Sequence, residues 1–82
     1  MAHRKLNQTE SQELRDVQST EQLASVLAKY ELEVFEVVLR DEDESWREYY
    51  ISDYPEAYIR EELREEYEYS DITLMSVKRL TV

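Results

Sequence analysis

Not one of the 82 residues is glycine. Glycine enters positive-φ turns and helix C-caps without steric cost, and ordinary proteins carry about 7% of it. A chain without it must close its turns with right-handed or extended backbone, and Asp, Asn and Ser must supply the turn hydrogen bonds. Glycine loops that cradle phosphates are excluded at once. Cysteine is absent too, which removes disulfides, zinc–thiolate sites and thiol nucleophiles. A chain this short buries only about 60% of its unfolded surface, so one thin-cored domain is expected.

Apolar periodicity divides the chain. Residues 1–8 read as a disordered N-terminus and residues 9–82 as a single α+β domain. Thr9 with Gln12, and Ser19 with Gln22, stand in capping-box register, so the spacing predicts one N-terminal helix or a helix pair. Leu23, Val26, Leu27 and Tyr30 then share one amphipathic face. Glu31–Arg40 is rich in β-branched residues and reads as a strand, with Phe35, Val37 and Leu39 on one side and Leu32, Val34 and Val38 on the other. Four acids, Asp41, Glu42, Asp43 and Glu44, form a hairpin tip before a second strand, Trp46–Ile51. Asp53 reads as an N-cap with Pro55 in the first turn, opening a helix that runs to about Tyr67 on Ile59 and Leu63. In the last strand, Ile72–Leu80, the apolar positions change parity between Leu74 and Met75, as at a β-bulge. The expected fold is a helix or helix pair followed by ββαβ, a three-stranded sheet with helices packed in two layers, the last strand parallel to the first.

Charge is distributed unevenly along this plan. Residues 31–70 hold fifteen Asp and Glu against four Arg, whereas the first thirty residues balance at four acids and four bases. Seven tyrosines accompany the acidic block. Such a surface disfavours direct contact with nucleic acid, whose phosphates require Lys or Arg. No run of eighteen apolar residues exists and the N-terminus lacks an apolar core, so neither a transmembrane helix nor a signal peptide is expected. A bacterial or archaeal cytoplasmic protein is the corresponding expectation.

Enzymatic chemistry finds few participants. The only histidine is His3, Ser and Thr have no base partner in sight, and helix-borne glutamates are ordinarily solvated. Asp41, Asp43 and Ser45 begin like a calcium loop, but Trp46 stands where the turn glycine belongs and Ser52 where a bidentate Glu belongs. The reading is therefore non-enzymatic, with no cofactor and no metal. On the acidic helix, Tyr54, Tyr58, Glu61 and Glu65 fall on a stripe opposite Ile59 and Leu63, beside Glu62 and Glu66. Carboxylates about 6 Å apart along a helix imitate a row of phosphates, and tyrosines supply stiff contact area. Asp41, Glu42, Asp43, Glu44, Tyr54, Tyr58, Glu61, Glu62, Glu65 and Glu66 are thus the candidate partner-binding residues, against a plainer reading as a solvated or halophilic surface. The alternative is a small assembly protein, a homodimer joined through the Leu23, Val26, Leu27 and Tyr30 face.

From Val34 to Leu80 the sequence of V-F-E-V-V-L, an acidic turn, W-R-E-Y-Y-I, an acidic helix and I-T-L-M-S-V-K-R-L resembles small phage-encoded ββαβ accessory and inhibitor proteins. Among acidic phage proteins are some that resemble DNA and occupy a nucleic-acid channel. The resemblance lies in patterning and assigns no residue a role. It implies an inhibitor or DNA-mimic-like blocker of a basic, nucleic-acid-binding host protein.

Overall fold

The computed structural model describes residues 3–82. Its elements in chain order are β1 (His3–Lys5), α1 (Gln8–Arg15), α2 (Thr20–Leu27), β2 (Glu33–Arg40), β3 (Ser45–Ser52), α3 (Glu56–Glu66) and β4 (Thr73–Arg79). The fold is α+β. Four strands form one sheet in the order β1-β3-β2-β4, and every neighbouring pair is antiparallel.

Three features depart from the sequence expectation. First, the segment expected to be disordered supplies a fourth strand: His3, Arg4 and Lys5 pair with Ser52, Ile51 and Tyr50. Residues 1–2 of that segment lie outside the described residues. Second, β4 runs antiparallel to β2 rather than parallel. A helix returns the chain to the end where the preceding strand began, so β4 must run like β3, the strand before the helix, and therefore opposite to β2. Third, helices cover both faces of the sheet, giving three layers rather than two. On one face Phe35, Val37, Leu39, Tyr50 and Val77 pack against Ile59 and Leu63 of α3. On the other, Val34 and Tyr49 pack against Leu6, Leu14 of α1 and Val26 of α2. Alternation along β2 explains both cores, since Val34 and Phe35 are each only 2% exposed yet point to opposite faces. Leu23, Leu27 and Tyr30 pack against this second core, so the face expected to join two copies is turned onto the chain's own sheet.

Local chemistry sets the boundaries. The chain breaks into two N-terminal helices. Ser19 caps α2 by accepting from the Gln22 N–H, but α1 is capped by Asn7 in a full capping box with Glu10, two residues before Thr9. Asp53 is not the cap of α3; Pro55 occupies that position without a side-chain cap bond, and Ser52 Oγ accepts from the Tyr54 N–H at 3.0 Å. The bulge is present: Ser76 pairs with Val38 and Leu74 with Leu39, leaving Met75 as the extra residue.

No described residue has positive φ. Side chains replace glycine instead. Asp41 Oδ1 accepts from the Asp43 and Glu44 N–H groups at 2.8 and 2.9 Å and so closes the hairpin tip. After α3, Ser70 Oγ accepts from the Ile72 N–H and donates to the Tyr67 carbonyl, both at 3.1 Å, turning the chain into β4. Burying Ile59 and Leu63, at 0% and 2% exposure, stabilises α3 on the sheet by about 1.5–3 kcal/mol each. Its β4 flank is fixed by Arg60, which donates to the Val77 carbonyl at 3.0 Å, and by Glu56, which accepts from the Arg79 N–H at 3.2 Å.

Candidate functional site

Helix α3 has eleven residues and so spans about 16 Å. It joins two clusters that the sequence reading merged. At its N-terminal end the aromatic groups collect. Tyr54 stacks on Tyr58 with ring centroids 4.3 Å apart and 19° between planes. His3 meets Tyr54 edge-on at 5.9 Å and stacks on Tyr50 at 5.4 Å. Tyr58 is exposed, as expected, but Tyr54 precedes the helix and packs against the core beneath α3, so it is not on the outer stripe. Along the flank of α3 beside β1, two acids meet basic-type residues. His3 Nε2 lies 3.7 Å from Glu62 Oε1, and Lys5 Nζ donates to Glu48 Oε2 at 2.9 Å. The same Glu48 oxygen accepts from the Trp46 indole N–H at 3.3 Å.

Toward its C-terminal end α3 presents its remaining acids. Glu61 is paired with Arg64 at 3.3 Å. Glu65 and Glu66 occupy the last turn, and among the described residues neither forms an ion pair. Register brings more acid alongside. Arg40 pairs with Ser45 across the hairpin mouth and with Thr73 at the start of β4. The hairpin tip and the α3–β4 turn therefore share one end of the molecule. Glu42, Asp43, Glu44, Glu68 and Asp71 join Glu65 and Glu66 there, exposed and without ion pairs among the described residues. Arg40 stands at this pole by register, and Arg64 lies in the last turn of α3. Asp41, predicted with the others, is a turn builder: the Glu44 and Asp43 N–H groups hold its carboxyl below the usual carboxylate range.

The sequence reading passed over two contributors. Tyr69, 95% exposed, projects from the acidic turn. It lies beyond the helical repeat, and its flanking Glu68 and Asp71 were the available signal. The basic run His3-Arg4-Lys5 forms a strand that the sequence does not signal, because three residues without apolar alternation carry no strand pattern.

Titration follows burial and pairing. Burial, then Glu48, pushes the Tyr50 phenol up; burial, then Glu36, does the same for Tyr49, whose hydroxyl donates to Glu36 Oε2 at 3.1 Å. The Arg4 guanidinium, helped by the Asn7 N–H, holds Glu10 down at about 2. Tyr50 belongs to the first core and Tyr49 to the second, while Glu10 holds β1 through Arg4. An open groove of about 960 Å³ between α1 and α2 is lined by Gln12, Asp16, Gln22 and their neighbours, and by none of the candidate residues. Among the described residues no three His, Asp or Glu side chains converge to hold a metal ion, and no helix is long and apolar enough to cross a membrane. No protein-family model, no curated protein and no solved structure matches the chain.

Proposed function

We propose that this protein is a non-enzymatic, acidic protein-binding module that occludes a basic, nucleic-acid-binding surface on its partner, in the manner of the phage inhibitors its patterning resembles. One observation carries the reading: Glu65 and Glu66 stand in the last turn of α3 without ion pairs. A helix C-terminus repels negative charge by about 0.3–1 kcal/mol per residue, and like charges at (i, i+4), as in Glu61–Glu65 and Glu62–Glu66, add to that cost. Five more acids crowd the same pole, so the arrangement works against the fold. Local rules are broken in this way where a surface serves something outside the chain.

A basic partner removes the penalty that the free protein bears. The field of the pole accelerates encounter and makes affinity fall with salt, while exposed Tyr69 and Tyr58 offer contact area that slows dissociation. The test is affinity capture from a host lysate with salt-step elution, followed by competition of the captured protein against labelled DNA. Wild type should displace the DNA, and Glu65→Lys with Glu66→Lys should not. Displacement that survives the reversal would remove the pole from the mechanism.

A further inference from the structure

We infer that the outer edge of β3, together with the Glu48 and Glu62 flank, is a docking groove for an extended basic segment of the partner protein, and that the chain's own His3-Arg4-Lys5 strand occupies it as an intramolecular cover. The inference rests on the proposed function and names the form in which one part of the partner is recognised. Its support is the occupant already seated there. Three consecutive basic-type residues add to the edge of an acidic sheet by backbone pairing to Tyr50, Ile51 and Ser52, which is the geometry of β-strand addition.

Alternation sorts the side chains. His3 and Lys5 point to the α3 face, where His3 meets Glu62 at 3.7 Å and Lys5 meets Glu48 at 2.9 Å. Arg4 points the other way, to Glu10 at 2.9 Å. The groove thus reads a flat ring against Tyr50 at the first position, followed by two cations, Arg4 and Lys5 in the chain's own strand.

The cover is built to leave. It is a three-residue strand at the sheet edge, and the Arg4 and Lys5 side chains are 52% and 54% exposed within their ion pairs. Their partners Glu10 and Glu48 are 24% and 16% exposed, so each pair is open to solvent on its cation side, where salt weakens it. The neighbouring Leu6 is different: it is 2% exposed in the second core, and its N–H donates to the Tyr49 carbonyl at 2.8 Å. Residues 3–5 can therefore peel away while Leu6 stays anchored. Departure leaves Glu48 without its cation, and Glu48 Oε1 is already buried with no hydrogen-bond partner among the described residues. A replacing cation is thereby favoured.

The probe is a labelled, end-capped peptide copying residues 1–8, titrated against the full-length protein and against its His3→Ala, Lys5→Ala variant. Tethering gives the chain's own strand an effective concentration on the order of millimolar, so the variant should bind the peptide at least about tenfold more tightly than wild type. Trp46, hydrogen-bonded to the oxygen that takes Lys5, should change its emission on binding, and amide shifts should centre on Glu48–Ser52. Equal affinity in both proteins, binding to neither, equal binding of a scrambled peptide of the same charge, or dimerisation of the variant by strand exchange would each overturn the inference. Circular dichroism on both proteins separates loss of fold from loss of binding. If the peptide fails while Glu65→Lys with Glu66→Lys still abolishes DNA displacement, the cover alone is wrong. If both fail, the acidic surface falls with it.

Discussion

On the flank of α3 that lies beside β1, Glu62 meets His3 and Glu48 takes Lys5. At the C-terminal pole of the helix, Glu65 and Glu66 share one end of the molecule with Glu68, Asp71 and the hairpin tip, brought together by the Arg40 register. Both regions hold glutamates and at least one tyrosine. What differs is the supply of counter-charge from the rest of the chain. The comparison teaches that acidic composition says little until the fold distributes the cations. One end has been closed by the chain itself, and the other is left for a partner.

The largest way to break this contrast is to remove the strut that separates the ends. Ile59→Ala should lower stability by about 2–5 kcal/mol, read as a lower denaturant midpoint at unchanged slope. A loss well below that range would mean α3 is not the rigid spacer that holds the clusters apart. Charge reversal sharpens the contrast further, because the sign should depend on the end. Glu65→Lys with Glu66→Lys should raise stability by about 1 kcal/mol at low salt, since both the helix dipole and the neighbouring acids then attract. Glu48→Lys should lower it by about 0.2–1 kcal/mol, through loss of its pair with Lys5. Thermal melts at two ionic strengths check both, and the gap should narrow as salt rises. Equal signs at the two ends would erase the distinction.

Acid probes the hold on β1 through Glu10. Glu10 is held at about 2 against an ordinary value of 4.5. Because its folded value is depressed, its contribution is complete above 4.5, and it is lost as pH falls from 4.5 toward 2. Protection of the β1 amides, taken relative to their intrinsic exchange rate at each pH, should fall over that window, and Glu10→Gln, which keeps a capping-box residue, should remove the dependence. The smallest effect belongs to Tyr69. Its substitution by Ala should leave stability within about 0.5 kcal/mol while weakening partner capture; a clear destabilisation would place it in the fold rather than on the binding face.

Much of the scaffold was legible in the sequence. The two faces of Glu31–Arg40, the Ile59 and Leu63 stripe, the Ser19 cap and the bulge near Met75 all follow from local periodicity, and all are present. The basic strand was not legible, because its pairing energy comes from β3 and its charges from Glu48, Glu62 and Glu10, all supplied by other elements. The direction of β4 follows from the return path of α3, which periodicity does not encode. For the site, the acids of the helix and hairpin were visible as a class. Their division was not, since it depends on the Arg40–Thr73 register that brings residues 41–44 beside residues 65–71. Tyr54 escapes the helical angle for a different reason: it precedes α3 and packs against the core instead.

The central claim is that the open pole trades stability for a partner. The most direct measurement records melting temperature and DNA displacement on the same samples of wild type and the Glu65→Lys, Glu66→Lys variant. The account predicts a variant that melts higher at low salt and no longer displaces DNA from the captured partner. A variant that melts lower, or that displaces DNA as well as wild type does, would contradict it.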